Sequence, residues 1–366
     1  MKNNDAAKRL IHPQEKINSK NKNEPRAMVE TICALDIKPT SISWLWVGWL
    51  AAGKFHVLGG TPGTGKTSIS LSLASILSRG GKWPDGSNAS SGDILMWSGE
   101  DDPSDTLVPR LSKANADLSR VHFISGISHQ GTKRSFDPAT DIDLLRRKIE
   151  EIGNVKLLII DPIVSAISGD SHKNAEVRKS LQPLADLAAY FGIALIGITH
   201  LTKGTSGREP IERITGSLAF GALARIVLIA AKSQKKDENG NTSHIFMRAK
   251  SNIGPDEDGF EYNIQQDTLE EYPDITTSFV AWGEGVKGSA KELLAVMENT
   301  PKCNKLNEAK DFLTDLLKDG PLPQSIVRER CNKKQISWAT ARRAQKELGI
   351  KPYKNGNGPW LWALDS

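Results

Sequence analysis

Lys54-Phe55-His56-Val57-Leu58-Gly59-Gly60-Thr61-Pro62-Gly63-Thr64-Gly65-Lys66-Thr67-Ser68 is the stretch around which the chain is organised. It contains Gly60-x-x-x-x-Gly65-Lys66-Thr67, the spacing of a phosphate-binding P-loop. Residues 55–58 are a short apolar run that predicts a buried strand. Residues 69–77 place Ile69, Leu73, Ile76 and Leu77 on one face of a helix. Thr61, Pro62, Gly63 and Thr64 therefore lie in a strand-to-helix turn, and Ser68 lies in the first turn of the helix. Glycines let backbone N–H groups close around phosphates, and the helix N-terminus adds a favourable dipole. Lys66 is placed to reach β- and γ-phosphates, and Thr67 to offer its hydroxyl to Mg²⁺.

A chain of 366 residues has room for two or three domains. No apolar run approaches the length of a membrane span, and no signal-peptide core is visible at the N-terminus. Cys33, Cys303 and Cys331 stand at unrelated spacings, so neither a disulfide framework nor a zinc site is indicated. The expected compartment is a reducing cytoplasm. Residues 301–366 carry 13 Lys/Arg against 7 Asp/Glu, a basic tail on a chain whose whole net charge is only +5. Such a tail points towards nucleic acid.

Residues 1–37 are rich in Lys, Asn and Glu and read as a disordered arm. Trp44, Trp46 and Trp49 crowd the approach to the P-loop and read as core packing. Between 55 and 200, apolar strands (55–58, 94–97, 121–124, 157–160, 194–198) alternate with helices, notably 141–152 and 175–190. That alternation predicts an α/β domain over 38–285 with a mostly parallel sheet. Strands at 226–230, 244–249, 261–264 and 277–281 predict an antiparallel extension. Gly283, Gly285 and Gly288 suggest a flexible join, assigned to 286–304, before a small domain over 305–366.

Leu157-Leu158-Ile159-Ile160-Asp161 delivers an acid to the tip of a buried strand, where it would hold Mg²⁺ opposite Thr67. Ile94-Leu95-Met96-Trp97-Ser98-Gly99-Glu100-Asp101-Asp102-Pro103 repeats the design. Glu100, first past the strand and Gly99, is the candidate base for the attacking water. Asp101 and Asp102 also suit a helix N-terminus before Pro103. The strand at 194–198 ends in Thr199-His200, where His200 is a candidate γ-phosphate sensor.

This ordered set resembles RecA-like ATPases, and is most similar to the plasmid and phage RepA replicative-helicase group, AAA-type ATPases of mobile elements. Gly216-Ser217-Leu218-Ala219-Phe220-Gly221-Ala222-Leu223-Ala224-Arg225 and Arg248-Ala249-Lys250-Ser251-Asn252 carry the resemblance further, which covers about 40–285. It implies ATP and Mg²⁺, with the nucleotide between subunits of a ring, usually six. The arginine that reaches the neighbour's γ-phosphate falls on Arg225. Arg213 competes for that role, and Lys250 is a lesser candidate. Two loops, 165–174 and 202–214, would face the centre of the ring. In the second, Lys203 and Arg208 among glycines suit phosphate tracking on single-stranded DNA, and a solvated loop is the other reading.

In the tail, 309–317, 323–331 and 338–348 read as helices, with Ser337 as an N-cap, followed by a turn-rich hairpin. Three helices and a hairpin resemble a winged helix. Arg342, Arg343 and Lys346 on the third helix are candidate contacts to duplex DNA, and protein contact is the alternative. The expectation is thus a RecA-like P-loop core with a C-terminal winged helix, acting as a homo-oligomeric DNA helicase. The rival is a DNA-binding ATPase that uses ATP as an assembly switch.

Overall fold

The computed structural model describes residues 29, 31–214, 218–236, 242–298, 301–354, 356 and 358–364. It divides into two units, 1–41 and 42–366. The first contains a 3-10 turn, Ala34–Asp36. The arm expected over 1–37 lies outside the described residues, apart from 29 and 31–37.

The second unit is built on a nine-stranded sheet. Its strands are β1 (Phe55–Gly60), β2 (Asp93–Ser98), β3 (Val121–Phe123), β4 (Val155–Asp161), β5 (Ala194–His200), β6 (Ile226–Lys236), β7 (Thr242–Ser251), β8 (Glu257–Thr268) and β9 (Thr276–Ser289). Their order is β9-β8-β7-β6-β1-β5-β4-β2-β3. From β6 to β3 every pairing is parallel, and from β6 to β9 every pairing is antiparallel. The fold is therefore α/β with a mostly parallel sheet and an antiparallel extension. Both faces are covered, which is why Leu157, Leu158, Ile159 and Ile160 can all be apolar and fully buried.

One face packs helix α1 (Lys66–Arg79) through Ile69, Leu73 and Leu77. Trp46 lies in the same layer, stacked on Trp49 at 4.8 Å and on Trp83 at 5.2 Å, so these rings fill the core. The other face packs α2 (Ile142–Ile152), α3 (Asn174–Phe191) and α4 (Ala290–Met297). Helices α1 and α3 both stop at a left-handed glycine, Gly80 and Gly192.

The join expected over 286–304 is corrected by β9 and α4. Gly283, Gly285 and Gly288 lie inside β9. A Cβ at Gly283 would stand 3.1 Å from the Cβ of Glu261, so this glycine reflects close cross-strand approach, not a hinge. Ser289 caps α4: its hydroxyl accepts from the Glu292 N–H, and the Glu292 carboxylate accepts from the Ser289 N–H at 3.0 Å. Ala290, Leu293, Leu294 and Met297 then bury in the main core.

The C-terminal segment folds as α5 (Pro301–Leu317), α6 (Gln324–Lys333) and α7 (Trp338–Glu347) with a small sheet. Strands β10 (Leu322–Pro323), β11 (Tyr353–Lys354) and β12 (Trp360–Trp362) run in the order β10-β12-β11. The strand at 322–323 is additional to the hairpin read from sequence. Leu313, Val327, Cys331, Ala341 and Trp362 form a separate core, with Trp338 stacked on Trp362 at 5.3 Å. Ser337 caps α7 by accepting from the Thr340 N–H. Asn355 and Asn357 of the expected turn lie outside the described residues.

His56 sits fully buried within β1. Its Nε2 accepts from the Ala51 N–H at 3.0 Å, and its Nδ1 donates to the Leu195 carbonyl at 3.2 Å. Those partners fix a neutral ring, and burial lowers its pKa from 6.5 to about 4. The unfolded chain therefore takes up this proton first. Stability from this residue is complete above pH 6.5 and is lost as pH falls towards 4, by on the order of 3 kcal/mol. Denaturant titrations at pH 7 and pH 5 should show a smaller loss in His56→Gln than in the wild type, and equal losses would refute this.

Candidate active site

The parallel strands bring the predicted chemistry to one edge of the sheet. In register, Gly60 pairs with His200 and Ser98 with Asp161, so the P-loop, Glu100, Asp161 and His200 all follow neighbouring strand ends. Gly63 and Gly65 have φ +74°, the left-handed conformation that closes the loop before α1. The Thr64 hydroxyl donates to the Thr61 carbonyl at 2.8 Å. The loop is also backed by β8: the Tyr262 hydroxyl donates to the Thr64 carbonyl. A Cβ at Gly65 would stand 2.5 Å from Cδ1 of Ile264, so a larger residue there would have to push the Ile264 side chain aside as well as adopt a left-handed φ of +74°.

Within the cleft, Thr67 Oγ1 donates to Asp161 Oδ2 at 2.8 Å. Lys66 Nζ lies 3.3 Å from the Thr61 carbonyl and 3.3 Å from His200 Nδ1. The cleft has a volume of about 390 Å³, and Glu100, Asp101, Pro62, Gly63 and Ser68 also line it. Thr67 and Asp161 offer hard oxygen donors of the kind Mg²⁺ prefers, so the residues fit that ion.

Electrostatics couple these groups. Burial raises the Asp161 carboxyl to about pKa 6, opposed by the Thr67 hydrogen bond and reinforced by the charges of Glu100 and Asp101. Burial lowers the Lys66 ammonium, against the pull of Asp161 and Glu100. Burial, then the Lys66 charge, lowers His200. A site that desolvates both an acid and a lysine is poised for a ligand carrying the complementary charges.

The three candidate acids separate by their partners. Asp101 pairs with Arg110 at 3.4 Å. Asp102 caps the short helix at 103–107, accepting from the Ser104 N–H at 2.7 Å. The Glu100 carboxylate is exposed and has no hydrogen-bond partner among the described residues.

Other sequence candidates lie elsewhere. Ile226 pairs with His56, and the Arg225 N–H donates to the Phe55 carbonyl at 2.9 Å, so exposed Arg225 stands at the sheet edge opposite its own P-loop. Arg213 is buried in an ion pair with Glu298. Lys250 Nζ donates to the Gly221 and Ala224 carbonyls at 2.7 and 3.1 Å. Gly216 and Ser217 lie outside the described residues. Lys203 and Arg208 are exposed on the loop after His200, and Arg342, Arg343 and Lys346 are exposed on α7.

Arg110, Ile264 and Ser278 line the cleft without having been singled out from sequence. Arg110 sits on an undistinguished short helix, and the other two arrive from the antiparallel extension. No local pattern marks any of them.

A family model described as AAA domain matches residues 22–206, just over half of the chain. A KaiC-like protein from the hyperthermophilic archaeon Pyrococcus horikoshii aligns with 65% of this chain and 99% of its own, at 16% identity and a TM-score of 0.42. No curated protein matches the sequence. Among the described residues no helix is long and apolar enough to cross a membrane.

Proposed function

The chain belongs to the AAA domain family, and from that footing we propose that it is a Mg²⁺-dependent ATPase driving DNA unwinding or translocation as a homo-oligomeric ring. The observation that carries the ATPase reading is the meeting of Thr67 and Asp161 at 2.8 Å beside Lys66. In this reading Thr67 and Asp161 hold Mg²⁺, which neutralises phosphate charge. Lys66 leaves the Thr61 carbonyl and His200 to bind the terminal phosphates. Glu100 accepts the proton of the attacking water. His200, touching Lys66, senses whether the γ-phosphate is present and moves the loop that follows it.

The DNA reading rests on two exposed sets of cations. Lys203 and Arg208 on the loop after His200 suit single-stranded DNA in the ring. Arg342, Arg343 and Lys346 suit duplex phosphates, with the C-terminal domain acting as a winged helix. Residues 328–354 carry 9 Lys/Arg against 2 Asp/Glu, which supports that face. Replication of a plasmid, phage or integrated element is the setting that the resemblance suggests.

A motor and a regulatory switch differ in one assay. For a motor, single-stranded DNA accelerates hydrolysis severalfold, and a forked duplex is unwound while a blunt one is not. Lys203→Ala with Arg208→Ala weakens the acceleration and spares basal turnover, because neither residue touches ATP. Unchanged turnover with DNA, together with no unwinding, would leave only the switch, in which ATP acts through its differential affinity for two assembly states.

A further inference from the structure

The loop after His200 is held by residues that none of the chemistry above uses. Its ends are zipped: Leu201 bridges Ile214, and the Thr202 N–H donates to the Arg213 carbonyl at 2.7 Å. Its middle is strapped to the end of α4. Glu298, the C-cap of α4, accepts from Arg213 through one carboxylate oxygen and from Ser206 through the other. Lys291 on the same helix pairs with Glu209 of the loop. The central pair is well buried, with Arg213 side-chain exposure 4% and Glu298 15%. Leu201, Ile214, Leu293 and Leu294 share one apolar core cluster beneath it.

We infer that Glu298 is a positioning residue: it latches the loop after His200 onto the helix that leads into the C-terminal domain. Residue 298 lies three positions before Pro301, where α5 of the C-terminal domain begins. On the other side, Arg213 holds Thr202, and Leu201 donates its N–H to the Gly60 carbonyl at 3.3 Å, at the root of the P-loop. His200, next in the chain, lies 3.3 Å from Lys66. The end of α4 is thereby connected to Lys66 by three contacts, at Arg213, Thr202 and His200, with the Leu201–Gly60 hydrogen bond beside them. A buried ion pair is suited to this task, because its geometry is narrow and an arginine left alone there is costly. Coupling to DNA through this latch rests on the motor reading; the latch itself does not.

The test is amide hydrogen exchange on the full-length protein, with ATPase assays run alongside. In Glu298→Gln, amides of 202–214 should exchange about tenfold faster or more, while those of α1 keep their protection. Ser206→Ala removes only an exposed hydroxyl strap and should speed the same amides by a smaller factor, so it serves if Glu298→Gln does not fold. Arg213→Gln combined with Glu298→Gln should be no faster than either alone, as expected for two ends of one contact. If the motor reading holds, Glu298→Gln also loses most of the stimulation by single-stranded DNA, with basal turnover and KM for ATP retained. Faster exchange with a wild type indifferent to DNA keeps the latch and removes the motor. Unchanged exchange in both Glu298→Gln and Ser206→Ala would overturn the latch whatever the DNA result.

Discussion

Glu100→Gln will bind ATP normally and fail to hydrolyse it. The substitution keeps the size and hydrogen-bonding reach of the side chain and removes its capacity to accept a proton. Losing a positioned general base costs typically ~10²–10⁴ in rate. The neighbours give little compensation, because Asp101 is turned to Arg110 and Asp102 to the Ser104 N–H. Equilibrium binding of a fluorescent ATP analogue should match the wild type while steady-state phosphate release collapses. Normal turnover in Glu100→Gln would move the base to Asp101 or to another group.

Arg225→Ala is expected to show a similar collapse from a different place. Arg225 stands beside Phe55 at the start of β1, and the phosphate loop begins at the far end of that strand. Six residues of extended chain separate the two by roughly 20 Å. An arginine so placed cannot reach its own nucleotide, so any catalytic role is exercised on a neighbour's. Removing an arginine finger costs about 10³-fold or more. Nucleotide binding should persist, since the P-loop is intact. Mixing Arg225→Ala with Lys66→Ala chains is the sharper measurement. Each mutant alone is inactive, but a mixed interface joins an intact Lys66 to an intact Arg225. Partial recovery under confirmed subunit exchange supports action in trans. Turnover unchanged in Arg225→Ala alone would shift attention to Lys250, whose ammonium now rests on the carbonyls of Gly221 and Ala224.

Arg213 shows how residue type can mislead when burial is unknown. On sequence grounds it rivals Arg225, since both flank Gly216-Ser217. The fold separates them, enclosing Arg213 against Glu298 and leaving Arg225 exposed. Glu298 follows Arg213 by 85 positions, and the stretch between them holds no local signal that the two will meet.

Local sequence was enough for the elements that carry their own signal. Gly60 to Thr67 between an apolar run and an amphipathic helix determined the phosphate loop, because turn chemistry and helix periodicity act over a few residues. Apolar runs ending in Asp161, in Gly99-Glu100 and in Thr199-His200 determined which acids and which histidine stand at strand tips, because every parallel strand presents its C-terminal end at the same edge. Tertiary structure alone decided the rest. Strand order set β1 between β5 and β6, which put His200 against Lys66 and carried Arg225 to the opposite edge. The antiparallel meander returned Tyr262 and Ile264 behind the P-loop, although they follow Thr64 by some 200 residues. The glycines of 283–288, read locally as a flexible join, proved to be strand positions, and at Gly283 the neighbouring strand crowds the place a Cβ would take. All of these are contacts distant in the chain, and they depend on register and burial, which no local run of residues encodes.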